Sequence, residues 1–200
     1  MSFDTRASLV ATLMKLTPSE FLEEHMYDRV PFVFGQDRKA YVTWKRILAT
    51  KIEVDPACIL IVGSAALGRS LSPTKNLEAF DQSSDIDVAV ISAYHFTVGW
   101  RYLRSNSTRR LSIDHRTLNA WNEHVKHYIY SGTIATDKLL GILPFGTPWH
   151  AAKAAMKTVP PTIARDVNLR VYTDFEALRA YQINSLASLQ REVVSKEANA

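Results

Sequence analysis

Apolar and polar positions along the chain change period several times, and each change predicts an element. The first fifty residues read as helical. Thr17-Pro18-Ser19-Glu20 combines a capping threonine, proline at the first helical position and glutamate at the third, so a helix is predicted to start there. Tyr41, Trp44 or Lys45, and Leu48 recur at helical spacing and predict another from Arg38 to about Thr50. Between them, Pro31-Phe32-Val33-Phe34-Gly35 reads as a short apolar connector or strand. Ile59 to Val62 is continuously apolar and closes at Gly63, the pattern of a strand covered on both faces. Ala65-Ala66-Leu67 favours a short helix, and the turn-rich segment 71–76 a loop. Asp85 to Ile91 predicts a second strand, and the alternation in Val167-Asn168-Leu169-Arg170-Val171-Tyr172 a half-buried one. Residues around 95–104 and 115–129 read as helices, and Gly141 to Pro148 and Val159-Pro160-Pro161 as loops. Thr173-Asp174-Phe175-Glu176 is a capping box, which predicts a last helix from Asp174 through Val193.

These elements predict an α/β (α+β) fold: a sheet core over about 51–175, a helical segment 1–50, and a C-terminal helix 174–194 packed on it. Two hundred residues with 46% hydrophobic and 22% charged composition fit one soluble domain over 1–200 and argue against disorder. The single cysteine, Cys58, excludes an internal disulfide and a cysteine zinc site, and its apolar surroundings predict an inert, buried thiol. The N-terminus lacks a basic region followed by an apolar stretch, and no apolar run approaches the ~20 residues of a membrane span. The expectation is a cytoplasmic protein with no membrane partner. A net charge of +4 suits an anionic partner such as a nucleotide or RNA.

The chemistry gathers in two places. Side chains alternate along a strand, so Asp85 and Asp87 are predicted to share one face, displaced by roughly 6.6 Å. Two carboxylates so placed repel unless they share a cation, and an oxygen-only pair suits Mg²⁺ (or Mn²⁺) shared with substrate phosphates. Upstream, Gly63 removes the Cβ that would hold a phosphate off the backbone, and Ser64 adds a hydroxyl at the start of a short helix. Arg69 and Lys75 lie just downstream as candidate counter-charges for phosphate.

The apolar strand, Gly63-Ser64, and Ser84-Asp85-Ile86-Asp87-Val88 in a second strand resemble the signature of the nucleotidyltransferase superfamily that includes DNA polymerase beta, across residues 58–92. GTIATDKLLGILPFG and VNLRVYTDFEALRAYQINSL also look like small bacterial proteins carrying this domain. The resemblance implies a nucleotidyltransferase-like mixed sheet. It also implies a nucleoside triphosphate held at Gly63 and Ser64 and catalytic metal at Asp85 and Asp87; Arg69, read from its charge and position downstream of the turn, is a further candidate nucleotide ligand. The function so implied is metal-dependent transfer of NMP from an NTP to a hydroxyl of a protein, RNA or small molecule. The alternative is a catalytically degenerate nucleotide-binding or antitoxin-like interaction protein.

Two departures stand out. Twenty residues separate Ser64 from Asp85, where the family uses about a dozen, which an inserted surface loop explains. Polymerase-like members also place a third carboxylate on a neighbouring strand, whereas the polar face of 167–172 offers Asn168, Arg170 and Tyr172. Asp166 is the leading candidate for that acid, ahead of Asp114 and Asp137, and the third position stays unassigned.

Other patterns carry less. Gly63 to Ser70 nearly spells a P-loop, but Arg69 stands where its lysine belongs and the second P-loop signal is missing. His124 and His127 read as part of a solvated helix face rather than a metal site. Arg101, Arg104, Arg109, Arg110 and Arg116 read as surface charge, and the four tryptophans as core or interface anchors.

Overall fold

The computed structural model describes residue 3, residues 5–106 and residues 113–198. Its strands are β1 Ile59–Val62, β2 Ile86–Ile91, β3 Thr133–Ala135 and β4 Val167–Tyr172. The helices are α1 Arg6–Lys15, α2 Pro18–Leu22, α3 Arg38–Ile52, α4 Ser64–Leu67, α5 Ala93–Ser105, α6 His115–Glu123, α7 Thr136–Leu139, α8 Gly146–Met156 and α9 Phe175–Ala198. The sheet order is β1-β2-β4-β3, with β2 and β4 parallel and both outer pairs antiparallel. The chain is therefore of mixed α/β class.

Register divides the sheet into two unlike faces. Ile61, Val88 and Leu169 form one row of the apolar face, and Ile59, Val90, Val171 and Ile134 the next. Each of these side chains is at most 1% exposed. Burying each contributes about 1.5–3 kcal/mol, so this face fixes the strands. Helix α5 packs here: a Cβ on Gly99 would lie 3.0 Å from Ile134. The opposite face carries Val62, Asp87 and Asn168 in one row and Leu60, Ala89, Arg170 and Ala135 in the next. Helix α9 covers that polar face, and buried residues from Phe3 to Val193 join one core.

The capping arithmetic holds at Thr17, whose hydroxyl accepts from Glu20 N–H at 3.3 Å while Glu20 accepts from Thr17 N–H at 2.8 Å. At α9 the cap is Asp174 rather than Thr173: Ala177 N–H donates to the Asp174 carboxylate at 2.7 Å. The segment 141–148, expected as a loop, contains the start of α8. Pro148 is its third residue, where no intrahelical acceptor for an N–H exists, so proline is tolerated. Gly146 is required there because a Cβ would lie 1.9 Å from the Leu140 carbonyl oxygen. Strand β2 starts one residue late, leaving Asp85 just before it.

His124 corrects the solvated-face reading. It is fully buried, accepting from Ala135 N–H at Nε2 (3.0 Å) and donating from Nδ1 to the Ala120 carbonyl (2.6 Å). Cys58 is half-buried at the end of a 3₁₀ turn rather than inside the strand. Trp44, Trp121 and Trp149 are core residues as expected, while Trp100 is half-buried with Arg104 over its ring. Arg109 and Arg110 lie outside the described residues. Among the described residues no helix is long and apolar enough to cross a membrane.

Candidate functional site

A cleft of about 670 Å³ opens between the polar sheet face and α9. Its floor is Val62, Gly63, Asp87, Asn168 and Arg170, and its α9 wall presents Tyr181, Gln182, Asn184, Ser185 and Ser188. The turn and the acid thus meet. Gly63 adopts φ +67° and ψ −147°, and a Cβ on it would lie 3.3 Å from Asp87 Oδ2. The positive φ favours glycine, and a side chain here would crowd the carboxylate.

Asn168 sits directly across from Asp87 on β4 and donates to Asp85 Oδ2 at 3.3 Å, so one amide lies beside both acids. Asp87 is exposed to the cleft, yet the surrounding walls exclude enough water to push its pKa up. Asp85 and Asp137 add repulsion, while Arg170 and the Asn168 amide oppose it.

Arg170 is the group that sequence reasoning passed over. It donates to the Tyr181 hydroxyl, with its guanidinium 4.8 Å from the Tyr181 ring centroid and 5.6 Å from that of Tyr128. These aromatic neighbours hold a cation in the cleft floor within the electrostatic reach of Asp87 and Asp137. Its alternation with Asn168 on β4 was the available signal.

The other expected residues separate. Ser64 is the half-buried first residue of α4, beside Gly63 but not among the residues lining the cleft. Helix α4 is only four residues long, too short to gather a macrodipole, so the turn offers backbone rather than a helix end. Arg69 points away: its guanidinium donates to the carbonyls of Phe3 at 3.0 Å and Leu77 at 3.1 Å, stapling the N-terminus to the loop after α4. Arg69 is not among the residues that line the cleft. Lys75 ends an exposed turn away from the cleft.

Of the candidate third acids, Asp166 is ion-paired with Lys157, and Asp114 caps α6 through Thr117 N–H at 3.0 Å. Asp137, ranked behind Asp166, is the one that lines the cleft. Among the described residues no group of three or more His, Cys, Asp or Glu side chains closes on one point. The donor set at the pair is nonetheless oxygen-rich and open to solvent, which fits a hard divalent ion that completes its shell with phosphate and water. Comparisons with protein-family models, curated proteins and solved structures give no match.

Proposed function

We propose that the cleft binds a nucleoside triphosphate with Mg²⁺ or Mn²⁺ and transfers its nucleotidyl group to a hydroxyl acceptor. The observation that carries this reading is that Gly63 and Asp87 line one cleft, with the carboxylate 3.3 Å from where a Cβ on Gly63 would stand. The resemblance of residues 58–92 to nucleotidyltransferases supports it.

Asp85 and Asp87 are the residues that would hold the ion. When bound, the ion neutralises triphosphate charge and polarises the phosphorus under attack. Gly63 lets the phosphate chain lie against the backbone, with Ser64 beside it. Arg170 draws the same anion toward the floor through a planar set of donors. Gln182, Asn184, Ser185 and Ser188 offer uncharged donors and acceptors to the sugar and base. Asp137 lines the cleft with Asp87, whereas Asp85 stands outside the lining, and Asp137 takes the proton of the acceptor hydroxyl.

One observation favours a second reading, a nucleotide binder without turnover: the position opposite Asp87 on β4 is the amide of Asn168, not an acid. Calorimetric titration with the four NTPs in Mg²⁺ or Mn²⁺, paired with a pyrophosphate-release assay, separates the two. Binding with release that Asp87→Asn abolishes supports transfer, and binding without release supports the second reading. Failure of every NTP to bind overturns both.

A further inference from the structure

A second groove, about 460 Å³, opens beside the same edge of the sheet. Leu60 of β1 lines it, while Val62, the next residue on that strand face, lines the cleft. The two concavities therefore adjoin one outer strand of the sheet.

The groove is basic. Arg29, Arg38 and Lys45 line it against one acid, Asp28. Lys45 is half-buried; burial lowers its pKa, Arg38 adds repulsion, and Asp55 and Cys58 oppose both. Among the described residues neither Arg38 nor Lys45 is in an ion pair. Arg29 is held in place by the carbonyls of His25 at 3.3 Å and Val30 at 3.4 Å.

The groove is also aromatic. Tyr27, Tyr41 and Phe175 line it, with Lys45 Nζ 4.9 Å from the Tyr41 ring centroid. Phe175, at the first turn of α9, is 54% exposed. Among the described residues the Tyr27 hydroxyl, buried beneath the groove, has no hydrogen-bond partner.

An anionic peptide would use the cations but leave the exposed ring without a role. A strand of unpaired bases uses both, phosphates on the cations and a base on the ring. We propose that this groove seats single-stranded nucleic acid. Its binding stands apart from the cleft; that the strand supplies the acceptor hydroxyl rests on the transferase reading above.

The test is fluorescence anisotropy with labelled single-stranded RNA and DNA of one sequence and the matching duplex, with a poly-glutamate competitor. Arg38 and Lys45 as two phosphate contacts predict that log K falls with log salt at a slope of about −1.4. Arg38→Gln with Lys45→Gln should bring that slope close to zero. Phe175→Ala, at an exposed position, should weaken binding roughly 5- to 160-fold with the slope intact. Binding of either single strand in preference to the duplex supports the proposal, and the stronger of the two identifies its source. Absent binding, variants that bind like wild type, or equal displacement by poly-glutamate overturn it. ATP titrations on the same proteins keep the two readings distinct: strand binding without ATP binding sinks the cleft assignment alone, and ATP binding without strand binding sinks the groove alone.

Discussion

Replacing Gly63 with alanine tests the backbone and the site together. The residue sits at φ +67° and ψ −147°, a region almost confined to glycine, so an alanine there stores about 1–3 kcal/mol of strain. The added Cβ also stands 3.3 Å from Asp87 Oδ2, forcing the carboxylate to give by a few tenths of an ångström. In a chain of this size 1 kcal/mol moves Tm by about 2–4 °C, so Gly63→Ala should melt roughly 2–12 °C lower. Gly35→Ala is the control. Its φ is +58° with nothing within 4 Å of the added Cβ, so it should lose stability while leaving the cleft untouched. Scanning calorimetry without ligand gives the first readout, and titration with ATP and Mg²⁺ the second. A Gly63→Ala melt within about 1 °C of wild type refutes the strain argument. Normal stability loss with ATP affinity equal to that of Gly35→Ala refutes the claim that the turn and Asp87 cradle the ligand.

Three further outcomes follow from the geometry. Because burial holds the Asp87 pKa up, folding favours its protonated form; its contribution is favourable below the unfolded pKa and declines as pH rises through the folded value. Asp87→Asn should therefore raise the ligand-free Tm at neutral pH and flatten that decline while removing divalent-ion binding, read by Mn²⁺ electron paramagnetic resonance. His124 behaves in the opposite sense: burial depresses its pKa, so stability is full above about pH 6.5 and falls as pH drops toward the folded value. Urea midpoints across that window should show the loss in wild type and not in His124→Asn. Trp44 Nε1 donates to the buried Thr162 hydroxyl at 2.9 Å, and Thr162 donates in turn to the Met156 carbonyl at 2.8 Å. Thr162→Val orphans the indole N–H and should cost about 1–3 kcal/mol in urea denaturation, with ATP binding unchanged.

What the sequence disclosed depended on how far each signal had to travel. Strands β1 and β4 were legible because four and six successive residues carry an unbroken period. Strand β3, three residues long, has no period to read, and α8 hid behind a glycine and a proline that its first turn accommodates. Nearness in sequence misled at Arg69, five residues after Ser64, because a side chain's direction is set by packing and its guanidinium found carbonyls instead. Asp137 failed in reverse. Nothing local marks it, and it reaches the cleft only because β3 pairs with β4 and delivers α7 to that edge.

Helix α9 explains why a cleft survives on a face that the core could have closed. Leu178, Leu186, Leu189 and Val193 are buried and recur at helical spacing, which anchors the helix to the rest of the core. Tyr181, Gln182, Ser185 and Ser188 form a second seam over Asp87 and Arg170, where apolar residues would pack against charges they cannot solvate. The sheet imposes this choice: its apolar face already holds the strands in register, so the polar face is released from carrying stability and can keep carboxylates, an amide and a guanidinium beside water. A change that made the cleft seam of α9 apolar would extend the core at the expense of that chemistry, and for that reason the polar seam is better evidence of a working site than the acid pair alone.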